Sequence, residues 1–505
     1  MVCGHRNVPG ARESGVSRHV PLEYDDVRGV IDAGAQEVGW VSQELAGAEL
    51  GDARLSHRLV RTEEYLAESP AAPINEACSA WAATQGAYRL FNNPKATPAG
   101  ILAPHVAETA KRIAAQDETV FFSYGKHPKT KGLGPIDKGN SPGERGLIML
   151  NALAFITAGV PLGVLSQRIW ARGEIPEEDY QEKIVRLQCT AIDEKESSKW
   201  LLALRETVAR TPASVRVVTV ADRESDFFEF LAAAEQLKSS YVVRARVDWH
   251  LVPEESEGQG RILGALASAP VLGKREVTIP GNGKRKARTA TATATVRSAA
   301  VALKPPQRRG HARDFACSEP IAVTVVSATE GHAPEGVEPI RWGSLSNLPV
   351  SSFTQASEKV DWYGKRRGIE TWHKVLKSDC QIEDCLLEEA SRLARYLTLS
   401  SIIGVRLMYI AYLARVQPQL SARTVFSEGE ITALHLRMTK DNPKLERPTT
   451  LQQTVRLIGR LGGHLGRKAD GEPGITVLWR GWMRLYEVVE AVLLIRRHPH
   501  LLNSS

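Results

Sequence analysis

Two stretches of the sequence put acidic side chains where they could do chemistry. In VRVVTVADRESDFFEF, five of the six residues 215–220 are apolar or β-branched, and Asp222 follows just past the end of that predicted strand. A helical pattern, SDFFEFLAAAEQL, comes next. Open α/β sheets bind ligands outside the carboxyl ends of their strands, so a carboxylate there can hold a divalent cation facing a crevice. The same spacing equally suits an ordinary helix cap made by Asp222 or Ser225. The second stretch is WYGKRRGIETWHKVLK, residues 362–377. Drawn as one helix, it puts Tyr363, Arg366, Glu370, Lys374 and Lys377 at steps of 3, 4, 4 and 3, on a single face. Glu370 is then a candidate metal ligand and the cations beside it candidate phosphate clamps. The bland alternative is a surface ion pair between Arg366 and Glu370, worth ~0.3–0.5 kcal/mol.

Cations gather in two further places. Lys284, Arg285, Lys286 and Arg288 crowd the turn GKRKAR, which suits a phosphate backbone as well as it suits a solvated loop. Arg54, Arg58 and Arg61 alternate with Leu50, Leu55, Leu59 and Leu66 at near-helical spacing. The whole chain carries a net charge of +7, a balance that favours anionic partners such as nucleic acid. The six cysteines are scattered without CxxC spacing, as in reduced thiols of a cytosol. Cys380 and Cys385 lie near His373, but no second ligand pair completes a zinc site.

The elements that must position these residues follow from pattern. The 505 residues are too many for one ordinary domain. We read 1–35 as a polar leader without a signal-peptide core, and 36–97 as a small basic helical domain closed by Asn92-Asn93-Pro94. Residues 98–257 alternate strands and helices after a hairpin turned at Gly159 and Pro161, which predicts a mixed α/β sheet. Residues 258–350 shift to strand-like runs joined by Gly/Pro-rich and basic turns, a β-rich insertion. From 351 onward the pattern is helical, with 351–415 completing the core and 416–505 forming a C-terminal helical domain. The most apolar run, Leu397–Ala414, is interrupted by Arg406 and reads as a buried helix rather than a membrane span. A cytoplasmic location is expected.

Several of these segments, in this order, resemble the signatures of the insertion-sequence-four transposases, the group containing the Tn-five enzyme. They are LGDARLSHRL, AATQGAYRLFNNP, DEKESSKWL, ADRESD, YGKRRGIETWHKVLK and RLGGHLGRKADGEPG, and the likeness runs from about Trp40 to Leu494. The resemblance implies an α/β ribonuclease-H-like catalytic core interrupted by a β-rich insertion. A helical domain that binds transposon ends precedes it and a helical dimerisation domain follows it. It implies a homodimer acting on double-stranded DNA by metal-dependent cleavage, hairpin formation and strand transfer. Two Mg²⁺ ions, with Mn²⁺ as substitute, would be held by three carboxylates. Asp222 and Glu370 match the second and third of these. Tyr363, Arg366, Glu370 and Lys377 match the signature that grips the transposon end, with Lys374 beside them. Arg244 matches a strand arginine near the cleaved phosphate, and Trp342 a tryptophan associated with base flipping.

The first acidic position is open between Asp117 and Glu118. The family pattern is an apolar strand ending in aspartate, followed by Thr-x-Phe-Phe. Here Glu118 precedes Thr119-Val120-Phe121-Phe122, and only Ile113-Ala114-Ala115 remain upstream, reading as the end of a helix. Sliding TVFFSY into the vacated strand would leave Asp117 at the strand's start, and a one-residue slip turns a side chain to the other face. Two functions therefore remain. One is an active cut-and-paste transposase; the other is a copy that binds DNA and dimerises without cutting, acting as an inhibitor. Gly364 and Gly368 each cost the signature helix ~1 kcal/mol against alanine.

Overall fold

The structure, a computed structural model, describes residues 39–114, 118–124, 134–135, 145–173, 179–252, 260–278, 291–307, 319–331, 339, 341–467 and 470–497. The leader 1–35, Asp117 and the basic turn with Lys284, Arg285, Lys286 and Arg288 lie outside the described residues.

The first helices are α1 (Trp40–Leu45), α2 (Ala53–Glu68), α3 (Ile74–Cys78), α4 (Trp81–Asn92) and α5 (Pro98–Ala114). Asp52 starts α2 by accepting the Arg54 N–H at 2.8 Å, which satisfies one of the orphan donors of a helix start. Leu55, Leu59 and Leu66 form the buried stripe of α2, as their spacing predicts.

The sheet strands are β1 (Glu118–Tyr124), β2 (Ile148–Ile156), β3 (Pro161–Trp170), β4 (Arg216–Ala221), β5 (Ser240–Arg244), β6 (Val271–Thr278), β7 (Thr291–Leu303), β8 (Ile321–Glu330) and β9 (Arg341–Ser346). They form one sheet in the order β3-β2-β1-β4-β5-β9-β8-β7-β6. β1, β2 and β3 pair antiparallel, β1, β4 and β5 pair parallel, and β5 to β9 is antiparallel. The hairpin between β2 and β3 turns at Gly159, whose φ of 92° suits glycine. The strands of the β-rich segment, β6 to β9, prolong the same sheet beyond β5.

Crossover helices α6 (Tyr180–Cys189), α7 (Ser198–Arg210), α8 (Phe228–Gln236) and α9 (Ile262–Ser268) link the strands. Then come α10 (Phe353–Lys365), α11 (Arg367–Lys374), α12 (Ala390–Val416), α13 (Glu428–Thr439), α14 (Leu451–Leu461) and α15 (Ile475–Arg497). One sheet face carries Trp200, Leu204, Phe228 and Leu231 from α7 and α8. The other carries Ile369 and Trp372 of α11 and the long apolar α12, in a cluster that also takes in the N-terminal helices. α12 is long and apolar enough to cross a membrane, but most of it is buried inside the protein.

Polar clamps fix the N-terminal helices to this core. Arg112 donates to both carboxylate oxygens of Glu44, at 2.9 and 2.7 Å, and to the Leu162 carbonyl at 2.7 Å. His105 Nδ1 lies 2.5 Å from Glu44, and its Nε2 accepts the Val164 N–H at 2.9 Å. Burial pushes the Glu44 carboxyl up, but Arg112 and His105 outweigh it and hold the group far below the usual carboxylate range. Arg395 on α12 donates to the carbonyls of Ala96 and Phe91 at 2.7 and 3.1 Å, anchoring the end of α4.

Candidate active site and nucleic-acid interface

Asp222 stands one residue beyond β4, at the carboxyl edge of the parallel strands. The expected cap of the following helix is met in altered form, since α8 starts at Phe228 with no side-chain cap and Asp222 caps a short turn before it. Its Oδ1 accepts the Glu224 N–H at 2.8 Å, capping the short turn Arg223–Ser225. Burial raises its pKa; the Glu224 N–H bond, Arg366 and Lys199 pull the other way. Arg366 forms an ion pair with Glu370, and its charge is felt by Asp222 as well. The guanidinium is thus paired with one of the two carboxylates that spacing singles out and acts on the other through its charge. Tyr363 lies beside two cations, with Arg366 5.8 Å and Arg244 5.9 Å from its ring centroid.

The single signature helix expected over 362–377 is corrected. α10 ends at Lys365 and α11 resumes at Arg367. Between them the Arg366 N–H donates to the Tyr363 carbonyl and the Arg366 carbonyl accepts the Ile369 N–H, both at 3.1 Å, which tightens the backbone. Val375–Asp379 then widens into a π turn. The stripe is therefore not one straight row. Lys374 is exposed, whereas Lys377 sits in the π turn and pairs with Glu383 at 3.3 Å. Gly368 has a packing reason beyond its helix cost: a Cβ there would come 2.8 Å from the Phe155 ring on β2. The glycine lets α11 lie close on the sheet, next to Glu370.

Glu118 is placed away from these residues. It is level with Arg216, the first residue of β4, while Asp222 lies six positions further along. At ~3.3 Å per strand residue that is about 20 Å, against the ~4 Å separation of a shared two-metal site. The expectation that Glu118 joins Asp222 as a metal ligand is not met by this register. Continuing the Phe122–Val220 pairing brings Tyr124 level with Asp222, and Tyr124 pairs with Asn151 on β2. The physical reason is the short apolar run before Glu118. With residues 98–114 taken into α5, the strand is made from ETVFFSY, and its acid falls at the start.

Next to this row lies a buried polar network that the sequence does not reveal. Gln167 Nε2 donates to Asn151 Oδ1 at 2.9 Å and to Ser401 Oγ at 2.7 Å, and Asn151 Nδ2 is 3.4 Å from His373 Nε2. It ties β3, β2, α11 and α12 together. Lys199 also emerges here, 3.1 Å from Glu224 and 5.8 Å from the Trp170 ring centroid. Trp342 lies on β9, level with Ala328, half-buried against the cluster under α10.

In the N-terminal helices Arg54 is exposed and Arg58 half-buried on α2. A second face, missed from sequence, lies on α4. Thr84, Ala87, Leu90 and Phe91 are buried, while Trp81, Tyr88 and Arg89 point outward, Trp81 with 77% of its surface exposed. Aromatics and a cation on one solvent-facing stripe suit stacking and phosphate contact. The signal that could have found it is the recurrence of Trp81, Tyr88 and Arg89 opposite the buried residues.

Among the described residues no group of three His, Cys, Asp or Glu side chains could hold a metal ion, including around Cys380, Cys385 and His373. Comparison with known proteins gives two family matches. Residues 37–96 match the family described as Transposase DNA-binding, and residues 402–499 match the Transposase Tn5 dimerisation domain. A solved piggyBac transposase synaptic complex with hairpin DNA is similar over 88% of this chain and 83% of that one, at 12% identity and a TM-score of 0.33. That likeness is too distant to inform the fold. With one match before the sheet and the other at its far end in the chain, the protein carries the DNA-binding and dimerisation domains of a Tn5-type transposase.

Proposed function

We propose that this protein binds the terminal inverted repeats of its own insertion sequence as a homodimer, and that its DNA-processing centre lies at the carboxyl edge of β4. The observation that carries the reading is the Arg366–Glu370 ion pair beside Tyr363 and Arg244, with Asp222 within electrostatic reach of Arg366. Strands β1 to β5 have three antiparallel members followed by two parallel ones, in the order 3-2-1-4-5, which supports a ribonuclease-H-like core. Arg244, Arg366 and the exposed Lys374 supply charge for a phosphate backbone, and the outward face of α4 adds Trp81, Tyr88 and Arg89.

The family's chemistry calls for two Mg²⁺ ions on three carboxylates. Among the described residues the donor set does not fit that demand: Glu370 is paired with Arg366, and Glu118 belongs to the far end of β4 from Asp222. The residues at the edge of β4 grip and orient DNA, and do not by themselves complete a two-metal centre. A second reading, favoured by the β1 register, is a protein that binds and pairs ends without cutting them.

The test is a mobility-shift and cleavage assay on the element's end DNA, with Mg²⁺ and with Mn²⁺. Specific retention of the inverted repeat over random DNA is expected, with Arg89→Ala lowering the salt slope of binding by about one. Equal affinity for any duplex would sink the end-binding reading. Retention without nicking selects the second reading; efficient nicking selects the first.

A further inference from the structure

The outward face of α2 carries Arg54 and Arg61, and the opposite face buries a carboxyl. Glu63 is 0% exposed, and neither carboxyl oxygen has a hydrogen-bond partner among the described residues. Leu59, Leu66 and Ala67 are buried on the same helix, in a cluster shared with α12 and the π turn. A lone carboxylate is strongly disfavoured out of water, and such a group keeps its proton instead.

The titratable and charged groups on the elements packed against α2 give no relief. Glu44 on α1 is negative and already held by Arg112 and His105. Cys78 on α3, Asp379 in the π turn and Cys380 just after it are all acids, with pKa values raised chiefly by burial. On α12, Tyr396 is likewise pushed up, and Arg395 is turned to the carbonyls of Phe91 and Ala96. Arg406, further along α12, donates to the Val425 carbonyl at 2.7 Å. On α4, Arg89 is exposed and bonded to Gln85. Burial, and then the charge of Glu44, raise the Glu63 pKa well above the ordinary carboxylate range.

We propose that Glu63 is a proton-dependent latch: protonated, it lets the N-terminal helical domain seat on α12, and deprotonated, it loosens that seat. The sign follows from linkage. A carboxyl that binds its proton more tightly when seated favours seating at low pH. The seat is strongest below the ordinary carboxylate pKa of about 4.3, weakens as pH rises above it, and levels off only beyond the raised value. Inside that window each pH unit shifts the seated-to-unseated ratio about tenfold. Glu44, held low by Arg112 and His105, works in the opposite sense, losing its contribution as pH falls. The latch concerns how the domain is held, and stands whether or not DNA is cut.

Hydrogen exchange on the full chain from about pH 5 to 9, corrected for intrinsic rates, reads the seat directly. In the unmodified protein the protection of α2 and α4 relative to β4 is expected to fall with pH, by about tenfold per unit inside the window. Glu63→Gln is expected to flatten the profile, as is Glu63→Leu, which puts an apolar side chain there should the amide variant fail to fold. A flat profile in the unmodified chain, or an equal slope in the variants, overturns the latch. A ¹³C titration giving Glu63 an ordinary carboxylate pKa overturns it independently.

Discussion

β1 and β4 are neighbours, parallel, and both associated with an acidic residue, yet only one acid reaches the candidate site. β4 runs through its apolar residues first and ends at the sheet edge with Asp222, where the charge of Arg366 reaches it. β1 has its acid first and its apolar residues after, so Glu118 pairs at the start of β4 instead. The same residue class differs in role because the apolar run, not the acid, decides how far a strand is drawn into the sheet. An acid is available for chemistry only when the run that precedes it is long enough to carry it to the edge.

The most forceful way to break this comparison is to put an acid where β1 comes level with Asp222. Tyr124→Asp is expected to raise Mn²⁺-dependent nicking of end DNA by about a hundredfold, or ~2.7 kcal/mol in the barrier. The gain should vanish when Asp222→Asn is added, and both are measured by single-turnover cleavage of labelled end DNA. No gain in a folded Tyr124→Asp protein would mean that register alone does not limit the site.

A smaller effect is expected from the helix that brings Glu370 to β4. Gly368→Ala places a methyl against Phe155 and must push α11 off β2, since the Cβ would lie 2.8 Å from the ring. Overpacking of this kind costs about 1–3 kcal/mol, which at its upper end exceeds the ~1 kcal/mol that alanine contributes in helix propensity. A lower Tm is the expected readout. An unchanged or raised Tm would show that glycine serves no packing role and that a weak helix position is the whole account of it.

How much of this is legible in the sequence depends on how local each feature is. The leucine spacing of α2, the Gly159 turn, the apolar run of β4 and the burial of α12 are written in short windows, and the sequence shows them. Asp222, Arg366 and Glu370 stand out by spacing; Arg366 pairs with Glu370, and its charge reaches Asp222. The kink at Arg366 and the π turn are not legible, because helical spacing fits a bent helix as well as a straight one. Gly368 reads as a cost because its Phe155 neighbour is more than two hundred residues away in the chain. Trp81 escapes because a large apolar residue at a helix start reads as core, and only the packing of Leu90 and Phe91 shows which face is outside. The union of β6–β9 with the main sheet rests on the long-range pairing of β9 with β5, which no local pattern encodes.

The smallest effect expected is also the one that most sharpens the contrast between the strands. Glu118→Gln keeps shape and hydrogen-bonding capacity while removing a charge. If Glu118 lies about 20 Å along the sheet from Asp222, that charge acts on the site only through distance and solvent, well beyond the ~8–10 Å over which salt leaves charges coupled. End binding and any nicking should then change by less than about twofold, a shift below ~0.4 kcal/mol. Asp222→Asn in the same assays should change at least one of them by more. A large loss of Mn²⁺-dependent nicking in Glu118→Gln, with Tm and end binding intact, would mean that β1 slides during catalysis to bring its first residue to the edge, and the strand register would no longer separate the two acids.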